Sequence, residues 1–273
     1  RASGRGRVRR PRARPVAMTV QHKWPPLDQG RVLHLDETGS TNSEAMRLAG
    51  EGAPSGTWVI ADRQTAGRGR SGRAWVSPAG NFHASVILRN VSPLEKAAQL
   101  ALVSGVALHA AVMASTGGSP TQPVELKWPN DILLGRLKLG GILVESSVSR
   151  REQSALAVVG IGLNLAHHPE FADRPATDLS AHGASIAPLN FLPSLDRSMQ
   201  EWISNWASGD GFATVREAWL ARSLPPGTRL TVNAGQNIVS GVFAGLDPVG
   251  ALLLMAPSGA LQTVTFGDVA LTG

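Results

Sequence analysis

The sequence predicts an α+β fold in which a larger domain of mixed strands and helices is followed by a small β-barrel. Strand-like and helical segments alternate irregularly through residue 221, the pattern of a mixed sheet covered by helices. The composition then shifts at Leu224-Pro225-Pro226-Gly227. Beyond that point about fifty residues carry only short strands separated by turn signals, which suits a small barrel. The expected units are a basic tail at 1–17, a main domain at 18–223 and the barrel at 224–273, a division that the length of 273 residues accommodates.

Taken in order, residues 31–36 alternate as a short strand. A helix follows, with Thr41 and Glu44 as a capping box and Gly50 as its stop. A helix start there aims backbone donors past the strand, so capping by Ser40 and Thr41 is compatible with ligand contact. Residues 57–62 and 81–88 read as apolar strands and 93–115 as a long helix. Its apolar run at 100–114 is interrupted and short for a membrane span, so it reads as a buried helix. Residues 124–128 form a strand turned by Pro129-Asn130-Asp131, and 132–134 with 137–145 form a hairpin about Gly135-Arg136. Residues 155–159 are a buried strand that runs into Gly160-Ile161-Gly162. Residues 166–190 read as loop, and 191–221 as mostly helix with Trp202, Trp206 and Trp219 in the core. The barrel strands are expected at 229–233, 238–246, 251–255 and 262–266.

Charge and absent residues narrow the function. The formal net charge is +6, but seven arginines lie in residues 1–17, leaving nineteen basic against twenty acidic residues in the rest. The tail is expected to be disordered, ahead of a start at Met18. The body offers no electrostatic case for DNA. No cysteine is present, which excludes disulfides, thiolate metal sites and a cysteine nucleophile, and suits a cytoplasmic protein. There is no G-x-S-x-G and no Gly-Lys pair, so neither a hydrolase elbow nor a Walker loop is present. The seven histidines show no H-E-x-x-H spacing, and no metal held by protein side chains alone is expected.

The stretch from Gln64 to Trp75 carries the chemistry. Arg68, Arg70 and Arg73 alternate with Gly67, Gly69 and Gly72. Glycines let backbone approach a ligand, and arginine forks grip phosphate or carboxylate oxygens in pairs. A loop of this kind should order over a polyanion. It spells G-x-G-x-x-G, but no helix or suitably spaced acid follows, so it is not a dinucleotide fingerprint. A solvated basic loop is the bland alternative.

Combined with Ser40-Thr41-Asn42, Lys127-Trp128-Pro129-Asn130-Asp131, the run from Lys138 to Glu145 and Gly160 to Asn164, this loop resembles the biotin–protein ligases, from about Val32 to the C-terminus. The resemblance implies a catalytic domain related to class II aminoacyl-tRNA synthetases and an SH3-like barrel. It implies ATP and Mg2+ as cofactors, biotin as substrate, and a biotin carboxyl carrier domain of a carboxylase as partner. Lys138, Arg68, Arg70 and Asp131 would then be catalytic. Biotin would meet Ser40, Thr41, Asn42, Gln64, Gly67, Arg68, Gly69, Arg70, Trp75, Lys138, Gly141, Leu143, Gly160 and Gly162. The nucleotide would meet Arg68, Arg70, Lys127, Asn130, Asp131, Lys138 and Asn164. Lys127 has a structural alternative, and Asp131 is either a proton acceptor for the target lysine or a local turn acceptor.

Three departures are visible. Only residues 18–31 separate Met18 from Val32, too few for a helix-turn-helix module, so no DNA binding is expected. Ser71 stands where some relatives carry arginine, and the segment expected to cover the adenine, 165–185, lacks tryptophan. A homodimer is allowed, with strands around 124–146 as its surface. The alternatives are a lipoate or octanoate ligase and a non-catalytic biotin-binding regulator.

Overall fold

The computed structural model describes residues 24, 27, 30–91, 94–149, 154–170, 175–235 and 237–272. The basic tail at 1–17 and its expected disorder lie outside the described residues.

The main domain is built on seven strands: β1 (Val32–Thr38), β2 (Trp58–Gln64), β3 (Phe82–Val91), β4 (Val124–Lys127), β5 (Asp131–Leu134), β6 (Leu137–Ser149) and β7 (Ser154–Leu163). They are ordered β1-β2-β3-β7-β6-β5-β4, with β1 and β2 parallel and the other neighbours antiparallel, so the sheet is mixed. Side chains alternate between the two faces of a strand, and here both faces are covered. Val59, Ile87 and Val158 meet Ala45 and Ala49 of α1 (Thr41–Gly50) on one face. Trp58, Ile60, Val86 and Val159 face the main core, which includes α2 (Gln99–Ser115), α3 (Pro188–Trp206) and α4 (Phe212–Leu220). This double burial explains the continuous apolar runs in β2 and β7.

The C-terminal strands β8 (Arg229–Ala234), β9 (Asn237–Leu246), β10 (Leu252–Met255), β11 (Leu261–Val264) and β12 (Asp268–Leu271) form a second, antiparallel sheet ordered β11-β10-β9-β8-β12. The last strand, β12, was not expected from sequence. It is only four residues long, and its pairing with β8 comes from distant chain.

Several expectations need correction. The long helix starts as a 3-10 turn at Leu94–Ala98 before α2. With that turn, Glu95–Ser115 is long and apolar enough to cross a membrane; burial against α3, α4 and the sheet makes it a core helix. The 191–221 stretch is two helices, separated at Ala207 and Ser208 by left-handed backbone. Trp206 and Trp219 are in the core, whereas Trp202 is only partly buried. Strand β4 is bridged on its outer side at Leu126, whose N donates to Arg222 O and whose O accepts from Leu224 N.

His109 on α2 makes stability sensitive to acid. Its Nε2 lies 3.2 Å from Val124 O, while its Nδ1 is buried without a partner among the described residues. Burial first, and the Arg222 charge second, bring its pKa down to about 4. Between that value and the unfolded 6.5, the unfolded chain binds the additional proton. Stability should therefore fall as pH drops from 6.5 toward 4, by up to ~1.4 kcal/mol per pH unit for this group. Thermal melts of His109→Gln across that window should show a flatter pH dependence; His83, also pushed down by burial, supplies a residual slope.

Candidate active site

The register of the sheet creates a cleft on the face occupied by α1. Ser85 opposes Gly160, which opposes Leu143; two residues further along, Gly162 opposes Gly141, which opposes Asp131. Directly opposed residues share a face. Where Val158 and Ile87 support α1, the next positions are glycines, and the floor lies open beyond the helix N-terminus. A cleft of about 270 Å3 results. It is lined by every residue assigned to ligand or catalysis from the sequence except Gly67. Gly67 instead packs beneath the loop: a Cβ there would lie 2.7 Å from Trp75 O and 2.8 Å from Ser77 Oγ.

A polar network sits at the start of α1. The N-cap is Ser40 and makes no side-chain cap bond; Thr41 is the first helical residue. Thr41 N and Oγ1 both donate to Gln64 Oε1, at 2.8 and 3.1 Å. Ser85 Oγ lies 2.7 Å from Thr41 Oγ1 and 2.6 Å from Asn42 Oδ1, and Asn42 Nδ2 donates to Glu145 Oε2 at 2.7 Å. The expected capping box is therefore not formed: Thr41 is turned into the cleft, and Glu44 pairs with Arg47 at 2.6 Å. The helix does stop at Gly50, as expected, with the left-handed residue two positions on at Gly52.

At the other end of the floor is an ionic cluster. Asp131 accepts from Lys127 at 2.8 Å and from Lys138 at 2.6 Å. Burial pushes the Asp131 carboxyl up, but the two ammonium groups overrule it and hold it well below the usual carboxylate range. Lys138 Nζ stands 5.6 Å from the centre of the Trp75 ring, and Lys127 Nζ also donates to Val269 O at 2.6 Å. Trp75 packs against Gly162, and its Nε1 donor is buried without an acceptor among the described residues. Asn130 exchanges bonds with the backbone of Ile142, fixing the turn that delivers Asp131. Asn164 Nδ2 donates to Thr177 O, and Lys138 exchanges backbone bonds with Pro175 and Thr177. Pro169, Pro175 and Ala176 line this part of the cleft.

The arginine loop folds across the cleft with left-handed backbone at Ser71 and Gly72. Arg68 donates to Ser43 Oγ at 3.0 Å and lies 3.6 Å from Glu145. Arg70 donates to Gly267 O, and Arg73 pairs with Asp268. Residues 268–271 of the C-terminal sheet thus line the cleft, together with Arg73. Sequence reasoning left these out of the site. Arg73 was legible as the loop's third arginine, but the 268–271 contribution had no local signal.

The arrangement places six cationic residues, Arg68, Arg70, Arg73, Lys127, Arg136 and Lys138, around an apolar glycine floor with a polar far wall. It suits a polyanion abutting a mostly apolar molecule with a polar head. Among the described residues no three His, Asp or Glu side chains are grouped to hold a metal ion.

Comparison with known proteins agrees with this geometry. Residues 35–164 match the Biotin/lipoate A/B protein ligase family, and residues 227–272 match the Biotin protein ligase C terminal domain. A biotin–[acetyl-CoA-carboxylase] ligase of Paracoccus denitrificans is 41% identical over 231 residues, covering 82% of this chain and 94% of that one. The fold is similar to the biotin protein ligase of Aquifex aeolicus in complex with biotin and ATP, with a TM-score of 0.74 and 28% identity over 89% of this chain and 98% of that one. It is also similar to the Leishmania major ligase in complex with biotinyl-5-AMP, with a TM-score of 0.61 and 25% identity over 89% of this chain and all of that one (100%). With the alignment running through both sheets and the cleft between them, the chain belongs to the biotin–protein ligase family.

Proposed function

We propose that this protein is an ATP-dependent biotin–protein ligase that loads biotin onto one lysine of a biotin carboxyl carrier domain. The observation that carries the reading is the pairing of Lys127 and Lys138 on buried Asp131, at the end of a floor made of Gly141, Gly160 and Gly162. In the first step an oxygen of biotin's carboxylate bonds to the α-phosphorus of ATP, and the bond to the β-phosphate oxygen breaks to release pyrophosphate. Two anions must approach, so cations have to offset their repulsion. Lys138, Arg68 and Arg70 serve that role from opposite walls of the cleft. In the second step the carrier's lysine amine attacks the acyl carbon and AMP leaves.

Ser40, Thr41, Asn42 and Gln64 receive the ureido head, while Trp75 and Leu143 flank the ring and tail. Asn164 meets the adenine beside Pro169 and Ala176. Magnesium comes with the nucleotide's phosphates, the usual mode for an ion that keeps few protein ligands. Asp131 is better suited to hold the two lysines than to accept a proton from the carrier's lysine: a carboxylate kept so far down is a weak base. We read the two sheets as a class II synthetase-like catalytic domain at 18–223 and an SH3-like barrel at 224–273. The lack of cysteine fits a cytoplasmic setting.

The test is incubation with ATP, magnesium, labelled biotin and a carrier domain. Label on the carrier is the expected result. Labelled lipoate on a lipoyl domain in its place would move the assignment to a lipoate ligase, and tight biotin binding with no adenylate would leave a binding protein.

A further inference from the structure

The outer arginines of the loop are met by an acid from the far end of the chain. Asp268 Oδ1 lies 2.6 Å from Arg73 Nη2 and 3.7 Å from Arg70 Nη1, and Arg70 Nη1 also donates to Gly267 O at 3.0 Å. Asp268 itself lines the cleft, and the residue after it holds Lys127 through its carbonyl. Carboxylate and phosphate oxygens compete for the same planar guanidinium forks. A fixed carboxylate among incoming phosphates would also repel them, so the two cannot share the arginines.

We propose that Asp268 is an internal counter-anion for the arginine loop, a positioning residue that holds Arg70 and Arg73 over the cleft until a polyphosphate replaces it. This rests on the reading of the cleft as a nucleotide site. The exposure of the pair supports exchange: side chains 42% and 38% exposed form ion pairs of small net worth, strong enough to bias a loop and weak enough to surrender it. Arg68 is handled separately, by Ser43 and Glu145 on the main domain. The loop is thus tied to both sheets, and the tie to the C-terminal one is the anion-sensitive one.

Trypsin, which cleaves after arginine, reads the loop directly, and inorganic tripolyphosphate serves as the probe. In ligand-free Asp268→Asn, cleavage at Arg68 and Arg70 should be about two- to fivefold faster than in the wild type. Tripolyphosphate should protect the loop at an about two- to fivefold lower concentration, because its competitor is gone. Asp268→Glu should restore both values. Arg73→Gln, which leaves the C-terminal sheet intact, should give the same faster cleavage at Arg68 and Arg70. Unchanged cleavage in Asp268→Asn, or protection only at higher tripolyphosphate, overturns the proposal. So does a wild-type loop that tripolyphosphate never protects. Neither readout needs turnover, so a protein that shows the exchange yet transfers no biotin would sink the ligase reading and leave the counter-anion standing.

Discussion

Lys138→Ala should lower kcat/KM for biotinyl-adenylate formation by ~100- to 1,000-fold, the usual cost of removing one preorganised charge donor from a displacement site. The side chain rises from the β5–β6 hairpin, is a third exposed, and reaches between Asp131 and the Trp75 ring. That placement gives it an ammonium donor at the junction of the apolar floor and the arginine loop. Folding should survive the change, because Asp131 keeps Lys127 at 2.8 Å and no buried charge is left unpaired. The measurement is pyrophosphate exchange at saturating biotin, with a thermal melt as control. A loss below tenfold with a native melt would remove Lys138 from the chemistry.

Gly162→Ala should weaken biotin binding by roughly 5- to 150-fold, the equivalent of the ~1–3 kcal/mol that overpacking costs. A Cβ at this position would stand 2.4 Å from Cε2 and 2.6 Å from Nε1 of Trp75. Strand β7 is paired on both sides and cannot retreat. The rigid indole must therefore swing out, taking the loop base and the ring beneath Lys138 with it. Calorimetric titration with biotin checks this. Unchanged affinity would mean that Trp75 does not close the biotin wall.

The two substitutions also mark how much of the site was legible. Lys138 and Gly162 were named through the family resemblance that the ordered motifs carry, while the glycine pairs and arginine–glycine alternation by themselves pointed only to close backbone approach and an anion. Gly67 was named by the same logic, but its small size serves packing against Trp75 O and Ser77. The capping box failed for a related reason. Thr41 has a cap-like spacing to Glu44, but Gln64, twenty-three residues away, competes for its hydroxyl and wins it.

The fold divides in the same way. Alternation and apolar runs determined where most strands and helices lie, since hydrophobic period is a property of neighbouring residues. By itself, the spacing of arginines and glycines indicated an anion-binding loop, and the ordered set of motifs supplied the resemblance to a family. Only the tertiary structure decided that β12 pairs with β8, that Asp131 carries two lysines at once, and that Asp268 lies against Arg73 across 195 residues of chain. Such contacts depend on strand order and register. These are settled by the packing of the whole sheet, and no local stretch of sequence records them.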